Sequence, residues 1–372
     1  MAIIAGIDEA GLGPVLGPLV VSATAFEVPD DLLDKSLWQT LALAVSRKVS
    51  RTRKRIVVSD SKKLYHRQRP GALDHLELGA LAFLGSLDQR PQSLRGLLAF
   101  VCPAMLKVMD EYPWYAGQDL PLPTCLTPTA VDLPAAALRT AMQRAGVKCL
   151  CMRSEVLEAG QYNRLVRATR SKATTVGDLV ARLLAHVWEL SAGKRVQIDV
   201  DRQGGRRSYL EGLQRIFPEA QFKVIDESET FSAYRITEAS PIKGQTGATH
   251  NSVVRVHDGR DSGSTGGTPV PQSKSMGETP MPHNGAPMSG RVAEIRYQVE
   301  AEDQHLCVAL ASMLCKYIRE CMMELFNRFW TARIAGLEPT AGYYVDGNRF
   351  YQQIVPEIKA MGIDTDLVYR CV

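Results

Sequence analysis

The run Gly6-Ile7-Asp8-Glu9-Ala10-Gly11-Leu12-Gly13-Pro14-Val15-Leu16-Gly17-Pro18-Leu19-Val20-Val21 decides how the rest of the chain is read. Residues 2 to 8 are apolar up to Asp8 and read as a short buried strand. The glycine-rich turn Ala10 to Pro14 ends it, and Pro18 to Phe26, with Val20, Val21 and Ala23, reads as a second strand. Two apolar strands joined by a short loop predict a hairpin at the start of a sheet. Asp8 and Glu9 sit where the first strand meets the turn. Adjacent carboxylates repel each other unless they are solvated or share a cation. Neighbours in a strand point to opposite faces, but a strand end or a bulge lets both approach one ion. A hard cation such as Mg²⁺ takes carboxylate oxygens of this kind. A solvated turn with acids at its edge is the plain alternative.

Three further acidic clusters lie at element ends. Asp199 and Asp201 close the apolar run Arg195 to Val200 and, two apart in a strand, face one side. Gln203-Gly204-Gly205 follows, as expected of a turn or an ion site. Glu300, Glu302 and Asp303 precede a long helix, where the helix dipole alone explains acids. Asp346 stands in Gly342-Tyr343-Tyr344-Val345-Asp346-Gly347. Four such clusters in one chain point to a shared metal centre. Two-metal sites activate a water and stabilise the leaving oxygen of a phosphodiester.

The remaining elements predict an α/β domain with a mixed central sheet flanked by helices. Residues 148–153, 195–200, 222–225, 233–236 and 295–299 read as strands. Residues 28–56 read as partly helical. Val176, Leu179, Val180, Leu183, Leu184 and Val187 recur at helical spacing within 172–191. Residues 209–217 read as a short helix ending at Pro218. Leu306, Leu310, Leu314, Ile318, Met322 and Leu325 mark a strong helix over 306–332. Residues 67–147, rich in proline and short apolar segments, read as an elaboration. Residues 240–290, rich in Gly, Ser, Thr and Pro and without an aromatic side chain, read as a flexible loop. Strand-like sequence resumes beyond that loop, so it interrupts a single domain spanning 1–372.

Composition is that of a soluble globular chain. With 372 residues, 45% of them hydrophobic, there is enough apolar material for one large core. The formal charge of +4 permits a polyanionic partner without requiring one. No run of 18 to 20 uncharged apolar residues suggests a membrane span, and the start lacks the basic leader of a signal peptide. The eight cysteines are scattered, which suits a reduced, cytoplasmic protein. Charge is concentrated from Arg47 to Arg69, where ten Lys or Arg residues accompany one acid, Asp60. The run Arg47, Lys48, Arg51, Arg53, Lys54 and Arg55 reads either as a nucleic-acid surface or as a solvated helix face.

The opening run resembles the signature of the ribonuclease H type 2 (ribonuclease HII) family, roughly GIDEAGRGPxxGPVV. Asp60-Ser61-Lys62-Lys63-Leu64 resembles that family's DSKKL segment. Val200-Asp201-Arg202-Gln203-Gly204, followed by Tyr209 and Phe217-Pro218, is similar to its VDxxG…Y…FP stretch. Ala309-Leu310-Ala311-Ser312-Met313-Leu314-Cys315-Lys316 resembles SAASIxAK, and Ala341-Gly342-Tyr343-Tyr344-Val345-Asp346 resembles SGYPxD. The matches occur in the family's order and span about half the chain. Leu12 departs from the pattern by replacing an Arg, which removes a cationic partner for phosphate. The insertions at 67–147 and 240–290 also depart from it.

The resemblance implies an RNase H-like fold and a four-carboxylate site for Mg²⁺ or Mn²⁺. By motif, Asp8, Glu9 and Asp201 are implied as ligands. Glu302 falls where the family has Asp, with Asp303 one residue away as the competing candidate. Gly11, Leu12, Gly13 and Tyr343 are implied to meet the ribonucleotide, and Lys62 and Lys63 its backbone. Asp199, Asp303, His305 and Asp346 are auxiliary candidates. His305 and Tyr343 also have plain readings, as a cap or as core. The implied activity is hydrolysis of the RNA strand of an RNA–DNA hybrid, or of a ribonucleotide within duplex DNA, leaving 3′-hydroxyl and 5′-phosphate ends. The alternatives are a non-catalytic nucleic-acid-binding protein and a structure-specific DNA nuclease on the same fold.

Overall fold

The computed structural model describes residues 1–50, 55–65, 71–202, 206–238 and 291–371. One compact unit is built from Met1–Ala239 together with Gly290–Val372. A second unit, Ser240–Ser289, lies outside the described residues. The flexible loop expected at 240–290 therefore lies outside them too, as does the turn Gln203-Gly204-Gly205.

Seven strands form the central sheet: β1 (Ala2–Ala10), β2 (Leu19–Val28), β3 (Lys148–Leu157), β4 (Arg195–Asp201), β5 (Ala220–Glu227), β6 (Phe231–Glu238) and β7 (Val292–Gln298). Their spatial order is β3-β2-β1-β4-β7-β6-β5. The expected hairpin is present, with β1 antiparallel to β2 from Ala2 opposite Val28 to Ala10 opposite Val20. At the centre β1 runs parallel to β4, and β4 parallel to β7. The outer pairs are antiparallel, so the sheet is mixed. The α/β class read from the sequence is the class observed.

The principal helices are α1 (Asp74–Ser86), α2 (Pro128–Ala145), α3 (Ala159–Thr169), α4 (Lys172–Glu189), α5 (Leu306–Thr331) and α6 (Tyr344–Ala360). Alternation along β1 divides the core into two layers. Ile3, Ala5 and Ile7 meet the apolar stripe of α4, including Val176, Leu179, Val180 and Leu183. Ala2 and Ile4 face the other way, into the larger layer containing α5. Over its 26 residues α5 is buried on nearly every side, as expected of a helix at the centre of a core. It approaches β1 so closely that a Cβ on Gly6 would lie 2.2 Å from the Val308 nitrogen.

Among the described residues of 28–56, between β2 and the short strand Ile56–Val57, there are a 3₁₀ turn at Asp30–Leu32, a four-residue helix at Leu37–Thr40 and the two-residue strand Val45–Ser46. The stretch is thus partly helical, in short pieces, because Pro29 and the short apolar spacing give no sustained face. The described residues of the stretch 67–147, by contrast, are largely helical. It contains α1, α2 and two shorter helices, Leu94–Val101 and Pro103–Met109. It shares the α5 core layer: Phe83 meets Phe26 edge to face, and Trp114 meets Phe326 likewise. Glu77 on α1 is fully buried, and its carboxylate accepts from the backbone N–H groups of Thr124, Cys125 and Leu126 and from the Tyr317 hydroxyl. None of the described helices is long and apolar enough to cross a membrane.

Candidate metal centre and nucleic-acid face

Asp8 and Asp201 arrive from adjacent parallel strands. Ile7 stands opposite Val200 in the ladder, so the next residues, Asp8 and Asp201, reach the C-terminal edge side by side. Glu9 follows Asp8 one residue before the strand ends, and its N–H donates to Asp8 Oδ1 at 2.7 Å. One carboxylate oxygen from each of Asp8, Glu9 and Asp201 lies within 4.8 Å of the others. Glu302 approaches from the short 3₁₀ turn Ala301–Asp303 that leads into α5. The same turn fixes Asp201, whose Oδ1 accepts the Ala301 N–H at 3.2 Å.

The electrostatics are those of crowded acids. Burial raises the Asp8 carboxyl well above its ordinary range, and the charges of Glu9 and Asp201 raise it further. Burial and then Asp201 push Glu9 up to about 7. The same two causes, in the same order, push Glu302 to about 7. Burial also raises Asp201, against hydrogen bonds that favour its charged form. Glu302 Oε2 is buried and has no hydrogen-bond partner. An all-oxygen donor set, three converging carboxylates and an orphaned buried oxygen together fit a hard divalent cation.

The Asp60-Ser61-Lys62-Lys63 segment forms one wall. Asp60 caps its short helix by accepting the Lys62 N–H at 2.9 Å. Ser61 Oγ lies 2.9 Å from Ser312 Oγ of α5. The Ser312 hydroxyl also stands by the Asp8 carboxylate and favours its charged form. Burial works against the Lys62 ammonium, but Glu302, Asp60, Asp8 and Asp201 together raise its pKa. Lys63 turns outward and pairs with Asp303 at 2.5 Å. Of the two acids considered at the helix entrance, Glu302 therefore lies beside Asp201, while Asp303 is engaged with Lys63.

The glycine turn and Tyr343 form the other wall. The N–H groups of Val15 and Leu16 both donate to the Gly342 carbonyl, at 2.8 and 3.2 Å, which brings Tyr343 beside the turn. Gly11 adopts φ +93, and a Cβ there would lie 2.5 Å from the Pro18 carbonyl oxygen, so only glycine fits. A Cβ on Gly13 would meet nothing within 4 Å. Leu12 and Gly13 are exposed, and the Tyr343 side chain is open to solvent, with the Lys316 ammonium 5.9 Å from its ring centroid.

No protein-family model and no curated protein matches this chain. Among solved structures it is similar to RNase HII of Archaeoglobus fulgidus, in a complex with PCNA, at 13% identity over 98% of this chain and 93% of that one, with a TM-score of 0.38. It is similar to Bst-RNase HIII in complex with Mn²⁺ at 14% identity over 99% of this chain and 66% of that one, with a TM-score of 0.39. It is similar to ribonuclease H2 of Pyrococcus horikoshii OT3 at 12% identity over 98% of this chain and 92% of that one, with a TM-score of 0.37.

The other candidates are placed apart from the carboxylates. Asp199 shares a face with Asp201 but lies one pleat deeper, opposite Gly6. There Arg296 Nε approaches it at 2.6 Å and His305 Nδ1 at 3.2 Å. Burial lowers the pKa of His305, and Asp199 only partly offsets this. Asp346 accepts from Thr340, the Ala341 N–H and Arg349, and so holds the loop before α6. In the basic run, Arg47 donates to the Asp303 carbonyl and covers the Trp38 ring, and Arg55 donates to the Ala42 carbonyl. Arg51, Arg53 and Lys54 lie outside the described residues. Sequence reading assigned no role to Ser312 or to the buried Arg319 and Arg370. Ser312 lies in a quoted motif, whereas the two arginines gave no local signal.

Proposed function

We propose that the chain is a divergent RNase H2-like nuclease that uses divalent metal to cut RNA joined to or paired with DNA. The observation that carries this reading is the convergence of Asp8, Glu9 and Asp201 on one point, with Glu302 beside them. Asp8, Glu9, Asp201 and Glu302 are the proposed holders of Mg²⁺ or Mn²⁺. When bound, such an ion supplies Lewis-acid activation of water and charge neutralisation at the phosphodiester. The carboxylates fix its position at the strand edge. Lys62, held over them by the Asp60 cap and the Ser61–Ser312 contact, presents positive charge to a phosphate. Gly11, Leu12 and Gly13 offer an open backbone surface to a sugar, and Tyr343 offers a ring beside it. The 2′-hydroxyl is the group that lets a protein tell RNA from DNA at a given site.

The test is cleavage of two labelled duplexes with Mg²⁺ or Mn²⁺, one an RNA–DNA hybrid and the other DNA carrying a single ribonucleotide. Metal-dependent cutting by the wild type, abolished in Asp8→Asn, is expected. Equal cutting of an all-DNA structure would replace this reading with a DNA nuclease. Binding of the hybrid without cutting would replace it with a non-catalytic binding protein.

A further inference from the structure

Residues Thr365 to Cys371 pass under the glycine turn. Leu16 and Tyr369 form an antiparallel bridge, and the Arg370 N–H donates to the Val15 carbonyl at 2.9 Å. The Arg370 guanidinium then reaches the turn itself, with Nη1 donating to the Gly11 carbonyl at 2.6 Å. That guanidinium is buried, with its carbon 5.1 Å from the Tyr162 ring centroid, and its Nε and Nη2 have no partner. A buried guanidinium with unpaired donors is costly, yet its one strong bond goes to Gly11. Arg319 completes the cradle by donating to the Pro18, Leu16 and Ala341 carbonyls at 3.2, 3.2 and 2.9 Å. The passing segment is clamped from behind by Asn163 of α3. Asn163 Nδ2 donates to the Asp366 and Tyr369 carbonyls at 3.0 and 2.8 Å, and its Oδ1 accepts the Cys371 N–H at 2.7 Å.

We propose that Arg370 is a positioning residue for substrate, acting through the Gly11 carbonyl to set the presentation of the turn at Gly11 to Gly13, with Asn163 holding it in place. This rests on the reading of that turn as the ribonucleotide contact. Fixing the Gly11 carbonyl fixes the plane of the Gly11–Leu12 peptide, and therefore the direction of the Leu12 N–H on its opposite side. Neither Arg370 nor Asn163 is among the carboxylates or their hydrogen-bond partners, so the expected effect falls on substrate binding rather than on the chemical step.

The experiment measures KM and kcat for DNA carrying one ribonucleotide, with thermal melting of each variant alongside. Arg370→Ala raises KM about tenfold, the order expected for one lost hydrogen bond to a charged group, while kcat stays within about twofold of wild type. Arg370→Lys restores part of the loss. Asn163→Ala, which leaves Arg370 and the turn intact, shifts KM in the same direction and decides the matter if Arg370→Ala does not fold. Folded variants with wild-type KM, or a fall in kcat at unchanged KM, overturn the proposal. Gly13→Ala separates the two ideas: it changes the turn directly. If it raises KM while the Arg370 and Asn163 variants do not, the positioning role fails and the turn reading stands. If it too leaves KM unchanged, or the wild type cuts nothing, the turn reading fails and the positioning role falls with it.

Discussion

At the residue scale, two adjacent acids of one strand bring their carboxylates to one point. Asp8 is buried on the α5 side, and its Oδ1 accepts the Glu9 N–H at 2.7 Å, which folds the pair towards one point. Asp8→Asn keeps the shape and removes a charge from a crowded site. In metal-free buffer at pH 8 its melting temperature is expected to rise by roughly 2–4 °C, while cleavage falls by at least about a hundredfold. A variant that melts lower than wild type would mean that Asp8 is held by attraction, not strained by repulsion. Gly13 makes a separate case. Its Cβ position is open, so the folded chain has no need of glycine there. Gly13→Ala is expected to leave the melting temperature within about 1 °C and to weaken duplex binding. Unchanged binding, measured by fluorescence anisotropy, would remove the turn from the substrate face.

At the element scale, the site depends on how tightly α5 lies across β1. Gly6 has no side chain because the backbone at Cys307 and Val308 occupies that space, and the Thr24 hydroxyl bonds the Cys307 carbonyl at 2.9 Å to hold the crossing. This contact sets the height of Ser312 over Asp8 and of Ala301–Asp303 over Asp201. Gly6→Ala is expected to cost at least about 3 kcal/mol, read from urea denaturation. A loss below about 1 kcal/mol would show that α5 can lift without disturbing the core. The sequence showed α5 by its spacing and β1 by its apolar run. It did not show α1, because that helix is buried on most sides and carries no polar stripe to set its period.

At the scale of the whole molecule, the carboxylate cluster is a store of unfavourable charge. Glu9 and Glu302 titrate near 7 in the fold, against an ordinary value of 4.5. The folded state therefore binds more protons than the unfolded one between these values. The stability contributed by this protonation is fully present below about 4.5 and is lost as pH rises through about 7. With EDTA, the melting temperature is expected to fall across that window. Adding Mg²⁺ or Mn²⁺ above pH 7 is expected to restore it, by about 2.7 kcal/mol at a hundredfold excess over Kd. A melting temperature independent of both pH and divalent ion would show that these acids do not form a cation site.

The sequence by itself determined the strands around the site, the long helix α5 and the acids at the end of β1. Alternation and helical spacing are local properties, and Asp8-Glu9 before a glycine turn is legible wherever it occurs. Only the tertiary structure showed why these acids join and their neighbours do not. Asp199 and Asp201 have the same side chain, the same strand and the same face, yet Arg296 and His305 claim the first, while Asp8 and Glu9 meet the second. Glu302 and Asp303 are likewise adjacent, and Lys63 claims only one of them. Arg370 reaches Gly11 across 359 positions of sequence. The motif resemblance pointed to Asp201 and Glu302, but the physical reason lies in the charges and carbonyls that other elements bring within a few ångströms.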